Sequence, residues 1–312
     1  MSDDNQKVEF EMNVPSHAVS TEIGAEALLP PSKYWVDVVR RFSKNRIAIV
    51  GFIMLLTIVI LCVFAPLFTP YNPITDMNLL DQLIPPGSPG HLLGTDDLGR
   101  DIWCRLLYGG RTSVLTGLSI ALLSGAIGVV LGLVAGYFGG LAETLIMRST
   151  DIMMSFPMTV IAVAIIAALG PSQNNIIFTL AIVGWPRFTR LIRGQVLAVK
   201  NSEYIESAKV AGFKNTRIIF GHVLPNCIGP LIVQFTLAVG GAILSSATLS
   251  YLGLGANVAA PDWGMMLSQG KNYLRLAPYL TTIPGLAISV TVLSMNWIGD
   301  GLRDAFDPKM RK

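Results

Sequence analysis

The sequence predicts an all-α, polytopic membrane protein with about six transmembrane helices, and its composition and apolar runs carry this prediction. Of the 312 residues, 52% are hydrophobic and 14% are charged, and the mean hydropathy is +0.55. Soluble domains carry about 25% charged residues. Six apolar stretches are long enough to cross a bilayer as helices, which takes roughly 20 residues. The net charge is +3, and the basic residues cluster beside these stretches. Because they are not interleaved with aromatic residues, they do not indicate nucleic-acid binding.

The expected elements follow one another from a polar, acidic start. We expect residues 1–32 to form a disordered cytoplasmic tail and residues 33–69 to form an amphipathic segment followed by the first span. Residues 70–111 are expected to be an extracytoplasmic loop, and residues 112–312 a five-helix core that contains a polar hairpin at 201–222. The six spans are predicted at residues 47–68, 112–138, 141–169, 176–199, 225–249 and 278–298.

Lysine and arginine are concentrated before the first span, between the fourth and fifth spans, and after the sixth. Because basic residues favour the cytoplasmic side, both termini and the hairpin are predicted to be cytoplasmic, in a multi-pass protein of the inner (cytoplasmic) membrane. The loop 70–111 also holds Arg100 and Arg105, but five aspartates outnumber them. Arg100 and Asp101 are expected to support the structure and not to contact a substrate.

Charged residues are missing from the middle of most spans. Near span ends, the i,i+3 spacing of Arg148 and Asp151 allows an ion pair. Three arginines, Arg187, Arg190 and Arg193, lie at the cytoplasmic end of the fourth span, where long side chains can reach the interface. Pumps driven by protons or ions keep charged residues inside the membrane. The energy for any active transport is therefore expected to come from outside this chain.

No catalytic or metal-binding motif accompanies the spans. The sequence has no G-x-x-x-x-G-K-[ST] phosphate loop and no H-E-x-x-H. Its three histidines do not share a depth with Ser119 or Ser124, which disfavours an intramembrane serine protease. We expect neither catalysis nor a metal site in this chain. A secondary carrier stays open as an alternative, and a lipid-surface or scaffold protein is a more distant one.

The segment Glu203–Pro225 is a polar run between two long apolar spans. Residue 201 or 202 can cap a first amphipathic helix, and Gly212 can end it in the left-handed conformation. Residue 215 or 216 can cap a second short helix. The pattern leaves two interpretations open, a hairpin that lies on lipid headgroups and a hairpin that docks on a soluble protein.

The spacing within this segment is similar to a known signature. Glu206-Ser207-Ala208, then Gly212, then Leu224-Pro225 resemble the E-A-A, three residues, G, nine residues, I-x-L-P signature of permease subunits of ABC importers. Serine stands here where a second alanine is usual, which keeps the side chain small. Histidine at position 222 stands where isoleucine is usual, a form associated with the peptide and nickel branch.

Further stretches resemble the C-type permease subunit of the dipeptide, oligopeptide and nickel branch, so that the resemblance covers nearly everything after residue 33. They are His91–Ser113, Arg148–Pro157, Leu249–Leu267 and Gly299–Pro308. The resemblance implies a type I ABC importer permease fold and half of a translocation pathway for di- or oligopeptides. Nickel chelates and glutathione are alternative substrates.

The resemblance also implies partners. They are a second, B-type permease in a heterodimer, two ABC ATPase subunits and an extracytoplasmic solute-binding protein. ATP and Mg²⁺ would be bound by the ATPases, with no cofactor in this chain. In that family the hairpin enters a cleft of the ATPase. The residues expected at this contact are Glu203, Glu206, Ser207, Ala208, Gly212, Phe213, Lys214, Leu224 and Pro225.

Polar residues of the last two spans are candidates to line the pathway, although such groups more often form hydrogen bonds to neighbouring helices. These candidates are Gln234, Thr236, Ser245, Ser246, Thr248 and Asn296. The loop 253–277 could contact the binding protein, re-enter the membrane as a gate, or cap the bundle. Its candidate receptor or gate residues are Trp263, Met265 and Met266.

Glycines recur every three or four residues in the second span. Such a face lets another helix backbone approach closely. Packing within this chain is favoured over packing against the partner permease. The glycines are Gly125, Gly128, Gly132, Gly136 and Gly140.

Overall fold

The computed structural model describes residues 31–255 and 260–307, and within these residues all the longer regular elements are helices. Turns of π-helix at Ile219–Val223 and Ser250–Leu254 extend one long helix at both ends. Most of the predicted tail lies outside the described residues. The α-helices are α1 (Pro31–Phe42), α2 (Arg46–Val63), α3 (Ala65–Phe68), α4 (Ile102–Phe138), α5 (Gly140–Ser155), α6 (Met158–Leu169), α7 (Gln173–Val199), α8 (Glu203–Val210), α9 (Asn215–Ile218), α10 (Leu224–Leu249), α11 (Trp263–Gly270) and α12 (Tyr279–Phe306).

Four of the described helices are long and apolar enough to cross a membrane, which confirms a polytopic all-α protein. They are α2, α4, the continuous segment Asn215–Leu254 and α12, and the bent pair α5 and α6 would make a fifth span if counted as one. The expected count of six spans is not reached, because the sequence of α7 is not apolar enough for it to count as a membrane span. Its 27 residues suffice in length, but its polar start and its arginines lower its hydropathy. That α7 spans the membrane stays a prediction.

The third predicted span is not one straight helix, and this expectation is corrected. The axes of α5 and α6 meet at 91°. Phe156 is extended, with φ −105° and ψ 146°, because the residue before a proline avoids the helical region, and Pro157 has no N–H to continue the ladder. Asp151 pairs across to Arg190 of α7, at 2.8 Å, and not to Arg148 on its own helix as its spacing predicted.

The helix α4 begins ten residues before the predicted start at residue 112, so the loop predicted at 70–111 ends earlier. The Asp101 side chain caps the helix by accepting a hydrogen bond from the Cys104 N–H at 2.7 Å. With 37 residues, α4 is about 55 Å long at 1.5 Å per residue, which exceeds the bilayer core. A helix of this length, if it stands close to the bilayer normal, extends beyond the hydrocarbon core.

The helices α4 and α7 pack closely against each other along the glycine face. A Cβ atom added at Gly132 would lie 2.7 Å from the Ile192 Cβ and 2.8 Å from the Thr189 carbonyl oxygen. One turn further, a Cβ added at Gly136 would lie 2.7 Å from the Val196 Cβ. Real Cβ atoms do not approach so closely, so these positions require glycine. The prediction that the glycine face packs within this chain is confirmed for Gly125 to Gly136, whereas a Cβ added at Gly140 would meet nothing within 4 Å.

We predict that Gly132→Ala lowers the thermal stability of the purified chain in detergent. The added methyl group meets backbone as well as side chain, and overpacking of this kind costs about 1–3 kcal/mol. Gly194→Ala is the matched control on α7, because an added Cβ there meets nothing within 4 Å. The control should be neutral or slightly stabilising, since alanine favours helix by up to about 1 kcal/mol. Equal melting temperatures for the Gly132 variant and the wild type would contradict the packing.

Candidate coupling site

The hairpin predicted at 201–222 forms two short helices joined by a tight turn. Helix α8 follows Ser202, whose backbone is extended, although its side chain does not cap the helix. Gly212 has φ +77°, the left-handed conformation that glycine adopts without strain. The Phe213 N–H closes the turn by donating to the Ala208 carbonyl at 3.1 Å. Helix α9 follows Lys214 as its N-cap, one residue before the earliest predicted cap.

The inner face of the hairpin belongs to an apolar cluster shared with three long helices. Ile205 and Ile218 are fully buried in it. Burial of each such side chain contributes about 1.5–3 kcal/mol, so the hairpin is held firmly to the bundle. The buried members are Leu133 of α4, Ile192 and Val196 of α7, Cys227 of α10, and Ile205, Ala208, Ile218, Ile219 and Val223 of the hairpin.

Polar contacts fix the entry to the hairpin and the start of its second helix. The Tyr137 hydroxyl, at the end of α4, donates to the Asn215 side-chain oxygen at 3.0 Å. The Lys200 ammonium, just after α7, donates to the Gly136 carbonyl at 3.1 Å. These bonds tie the hairpin to the same end of α4 that the glycine face joins to α7.

Three side chains stack across the turn of the hairpin. The Arg217 guanidinium lies 4.3 Å from the centre of the Phe213 ring, and that ring stacks on His222 with centroids 6.2 Å apart. Cation–π contacts at exposed sites contribute about 0.5–1 kcal/mol. The unusual histidine of the signature thus supports the turn.

The outer face of the hairpin is exposed and forms an open depression. Its lining residues are Glu203, Glu206, Ser207, Val210 and Ala211. Val210 is 90% exposed, which is unusual for a large apolar side chain in a polar segment. The two glutamates lie in the first turn of α8, where the helix dipole favours negative charge.

The predicted contact residues thus separate into groups. Three of them, Glu203, Glu206 and Ser207, lie together on the depression, and Gly212, Phe213 and Lys214 form the exposed turn. Ala208 faces inward with 7% exposure, so its small size serves packing within this chain. Leu224 and Pro225 lie at the base of α10, half-buried and exposed respectively. Val210 and Ala211 are members of the depression that the signature did not point to; only their place in the amphipathic pattern could have indicated them.

The predicted pathway residues do not come together in one site within this chain. Gln234, Ser245 and Thr248 recur on one side of α10 and are half-buried, while Asn296 of α12 is exposed. The hydroxyls are already satisfied within their own helix. Thr236 donates to the Ile232 carbonyl, Ser246 to Ile243 and Thr248 to Leu244, at 2.9, 3.1 and 2.8 Å.

The predicted receptor or gate residues are buried inside the chain. Trp263 is 1% exposed, its indole N–H donates to the Leu106 carbonyl at 2.9 Å, and its ring lies against Gly110. Met265 and Met266 are also buried. In this conformation α11 packs against the helix bundle, and the choice among the three interpretations of the loop 253–277 stays a prediction.

Two clusters of polar residues, located where α11 meets the start of α4, were not predicted from the sequence. Asp262 caps α11 by accepting from the Met265 N–H at 3.2 Å, and it also accepts from the Ser113 hydroxyl of α4 at 2.8 Å. This bond holds α11 against α4. No spacing rule connects two residues 149 positions apart, so the sequence alone gave no signal for it.

The second cluster centres on Asp96, before α4. Its carboxylate pairs with Arg100 at 2.8 Å and with Arg105 at 3.5 Å, and both guanidinium groups are buried. Burial raises the pKa of Asp97, and the neighbouring Asp96 carboxylate raises it further. Asp101 pairs with His91 at 2.9 Å in addition to capping α4. Arg100 and Asp101 are thus structural, as expected.

The comparisons with known proteins agree with this architecture. Residues 128–312 match the family described as binding-protein-dependent transport system inner membrane component. Residues 33–86 match the N-terminal transmembrane domain of oligopeptide transport permease C. The first match covers the hairpin, α7, α10 and the last part of α4.

Two curated relatives align over nearly the whole chain. The dipeptide transport system permease protein DppC of Haemophilus influenzae is 43% identical over 288 residues, which cover 91% of this chain and 96% of the relative. The oligopeptide transport system permease protein OppC of Bacillus subtilis is 40% identical over 278 residues, which cover 89% and 90%.

A solved structure of the MetNI methionine ABC transporter, in an inward-facing conformation, shares the fold. The TM-score is 0.53 at 18% identity, over 66% of this chain and 98% of the matched chain. At this identity the likeness shows the fold alone. Taken with the family matches and the two relatives, it shows that the chain belongs to the permease subunits of binding-protein-dependent ABC importers, in their oligopeptide and dipeptide C-type branch.

Proposed function

We propose that this chain forms half of the translocation pathway of an ATP-driven importer and transmits the motion of partner ATPases through residues 201–225. One observation carries the proposal, the two-sided hairpin. Its inner face is buried with α4, α7 and α10, while its outer face is an exposed depression with two glutamates. A segment fixed to three long helices and free on its other side suits the transmission of force from a soluble subunit.

The proposed substrates are di- or oligopeptides. Support comes from the names of the two relatives, which describe dipeptide and oligopeptide transport. Glutathione and nickel chelates remain the alternatives that the sequence resemblance raised. Since the predicted pathway residues other than the exposed Asn296 are half-buried or bonded within their own helix, substrate choice is assigned to the solute-binding protein.

The proposed assembly contains a B-type permease as the second half of the pathway, two ABC ATPases and an extracytoplasmic solute-binding protein. A permease of an ABC importer requires ATPase and binding-protein partners in general, and the heterodimer is the finer proposal. ATP and Mg²⁺ would be bound by the ATPases, with no cofactor in this chain. The hairpin end would face the cytoplasm of an inner membrane, because it carries the basic residues that favour that side.

Coupling would act through a population shift. ATP binding would bring the ATPases together, and hydrolysis would let them separate, so that the docked hairpin moves with them. Because the hairpin is packed into the cluster of α4, α7 and α10, its displacement would rotate these helices as a unit. The two orientations of the pathway would then differ in free energy according to the nucleotide state.

We predict that a second permease and an ABC ATPase co-purify with this chain in mild detergent. Reconstituted with these partners and the binding protein, it should take up labelled dipeptide only when ATP is present. Binding of dipeptide, glutathione or a nickel chelate to the isolated binding protein would decide between the substrates. Uptake by this chain alone without ATP would contradict the proposal and favour a secondary carrier.

We also predict that Gly212→Arg uncouples ATP hydrolysis from uptake while the protein still inserts. An added Cβ at Gly212 meets nothing within 4 Å, so the damage would come from the left-handed φ and from the bulk presented to the ATPase. A left-handed conformation costs an ordinary residue about 1–2 kcal/mol.

Gly212→Asn is the matched control, because asparagine tolerates the left-handed region. It should keep most of the uptake per ATP hydrolysed. Normal uptake by the arginine variant, measured in proteoliposomes with all subunits present, would remove the coupling role from the hairpin.

A further inference from the structure

Helix α1 is packed against the C-terminal end of α12 along only part of its apolar face. Phe42 lies against Gly301, where an added Cβ would come within 3.3 Å of the phenylalanine ring. The Trp35 ring meets Phe306 edge-on, with centroids 5.9 Å apart. The Arg41 guanidinium donates to the Asp307 carbonyl at 3.4 Å. These contacts fix the orientation of α1 on the bundle and use residues of the Gly299–Pro308 stretch that the coupling role does not need.

Part of the apolar face of α1 is exposed, although Trp35 at its edge also contacts Phe306. Val38 is buried at 6% exposure, whereas Trp35, Val36 and Val39 are 44%, 64% and 66% exposed. In a helix, residues three and four positions apart share a side, so these three form one strip next to the buried edge. We call Trp35, Val36 and Val39 the exposed strip.

Basic residues border the exposed strip. Residues 35–46 contain four basic residues and one acidic residue, Asp37. Arg40 follows Val36 by four positions, so it lies beside the strip, and it is exposed, as are Lys44 and Arg46. An apolar strip beside exposed cations is the pattern of a helix that lies in the membrane interface and attracts anionic headgroups.

The connection to α2 holds α1 at the membrane surface. Helix α2 begins at Arg46 and is apolar enough to cross the bilayer, and only three residues separate it from Phe42. Three residues reach about 10 Å at most when extended. The Asn45 side chain fixes this link, because it caps α2 and donates to the Asp304 carboxylate at 3.3 Å.

We propose that α1 is an anionic-lipid-binding helix, with the exposed strip in the headgroup region and Arg40, Lys44 and Arg46 on the phosphates of the adjacent leaflet. The partner is the anionic phospholipid of that leaflet, because the strip is continuous with a membrane-spanning helix and bordered by positive charge. This inference does not depend on the peptide-import proposal. It gives α1 a role in holding the ends of α2 and α12 together at the surface.

The test compares lipids on the purified full-length chain in mild detergent. Phosphatidylglycerol should raise the melting temperature at lower concentration than phosphatidylcholine does. Arg40→Gln combined with Lys44→Gln should raise the half-saturating phosphatidylglycerol concentration by about 10- to 30-fold. Each juxtamembrane cation adds a similar increment to the attraction for anionic lipid, and two such increments are lost. Lys271→Gln combined with Arg275→Gln removes the same charge near α11 and should leave the phosphatidylglycerol response unchanged.

Three results would overturn the proposal. The first is an equal response to both lipids, and the second is an unchanged response in the Arg40 and Lys44 double variant. The third is an equal response to glycerol 1-phosphate, which would indicate a site for a free anion and not a lipid surface.

A second measurement reads the exposed strip directly. A fluorophore on Val36→Cys can be quenched by brominated phosphatidylglycerol in nanodiscs, and the native Cys62, Cys104 and Cys227 are at most 5% exposed. Quenching in the chain without partners is expected. A label that stays in water, or that enters an apolar environment only when the second permease is added, would contradict lipid binding and indicate another surface role.

Discussion

The close approach of α4 and α7 along the glycine face is the constraint on which the rest of the structure depends. At Gly132 and Gly136 the two backbones are so near that no side chain fits between them. Side chains of α7 that meet these glycines, Ile192 and Val196, are also members of the cluster that receives the hairpin. The helix pair and the hairpin are therefore one packed unit, and neither can shift without disturbing the other.

This unit explains why a polar hairpin is retained in a chain with few charged residues. Its inner residues are buried with the long helices, and its outer residues form an open depression with two glutamates. The opposite end of the bundle is closed differently, by Trp263 over Gly110 and by the bond between Asp262 and Ser113. Motion applied at the hairpin would thus act on helices whose far ends are also fastened, as rigid-body transmission requires.

The sequence predicted the features that depend on local chemistry. The all-α membrane class followed from composition, and the turn at Gly212 followed from the need for a left-handed residue. The features it missed depend on tertiary context. Hydropathy treats 141–169 as one apolar run, whereas Pro157 divides it into α5 and α6 at 91°. Likewise, the Trp263 ring is buried against Gly109 and Gly110, more than 150 positions earlier in the chain. No local sequence pattern reveals such a contact.

The most direct test of the central claim is a cross-link from the outer face of the hairpin in the complete complex. Val210 is 90% exposed and the native cysteines are at most 5% exposed, so Val210→Cys offers one reactive position. With a short bifunctional reagent, this variant should cross-link to an ABC ATPase subunit, with a yield that changes when ATP is added. A cysteine at Lys271, near α11, should give no such product. A complex that imports peptide but yields no ATPase cross-link from position 210 would contradict the account.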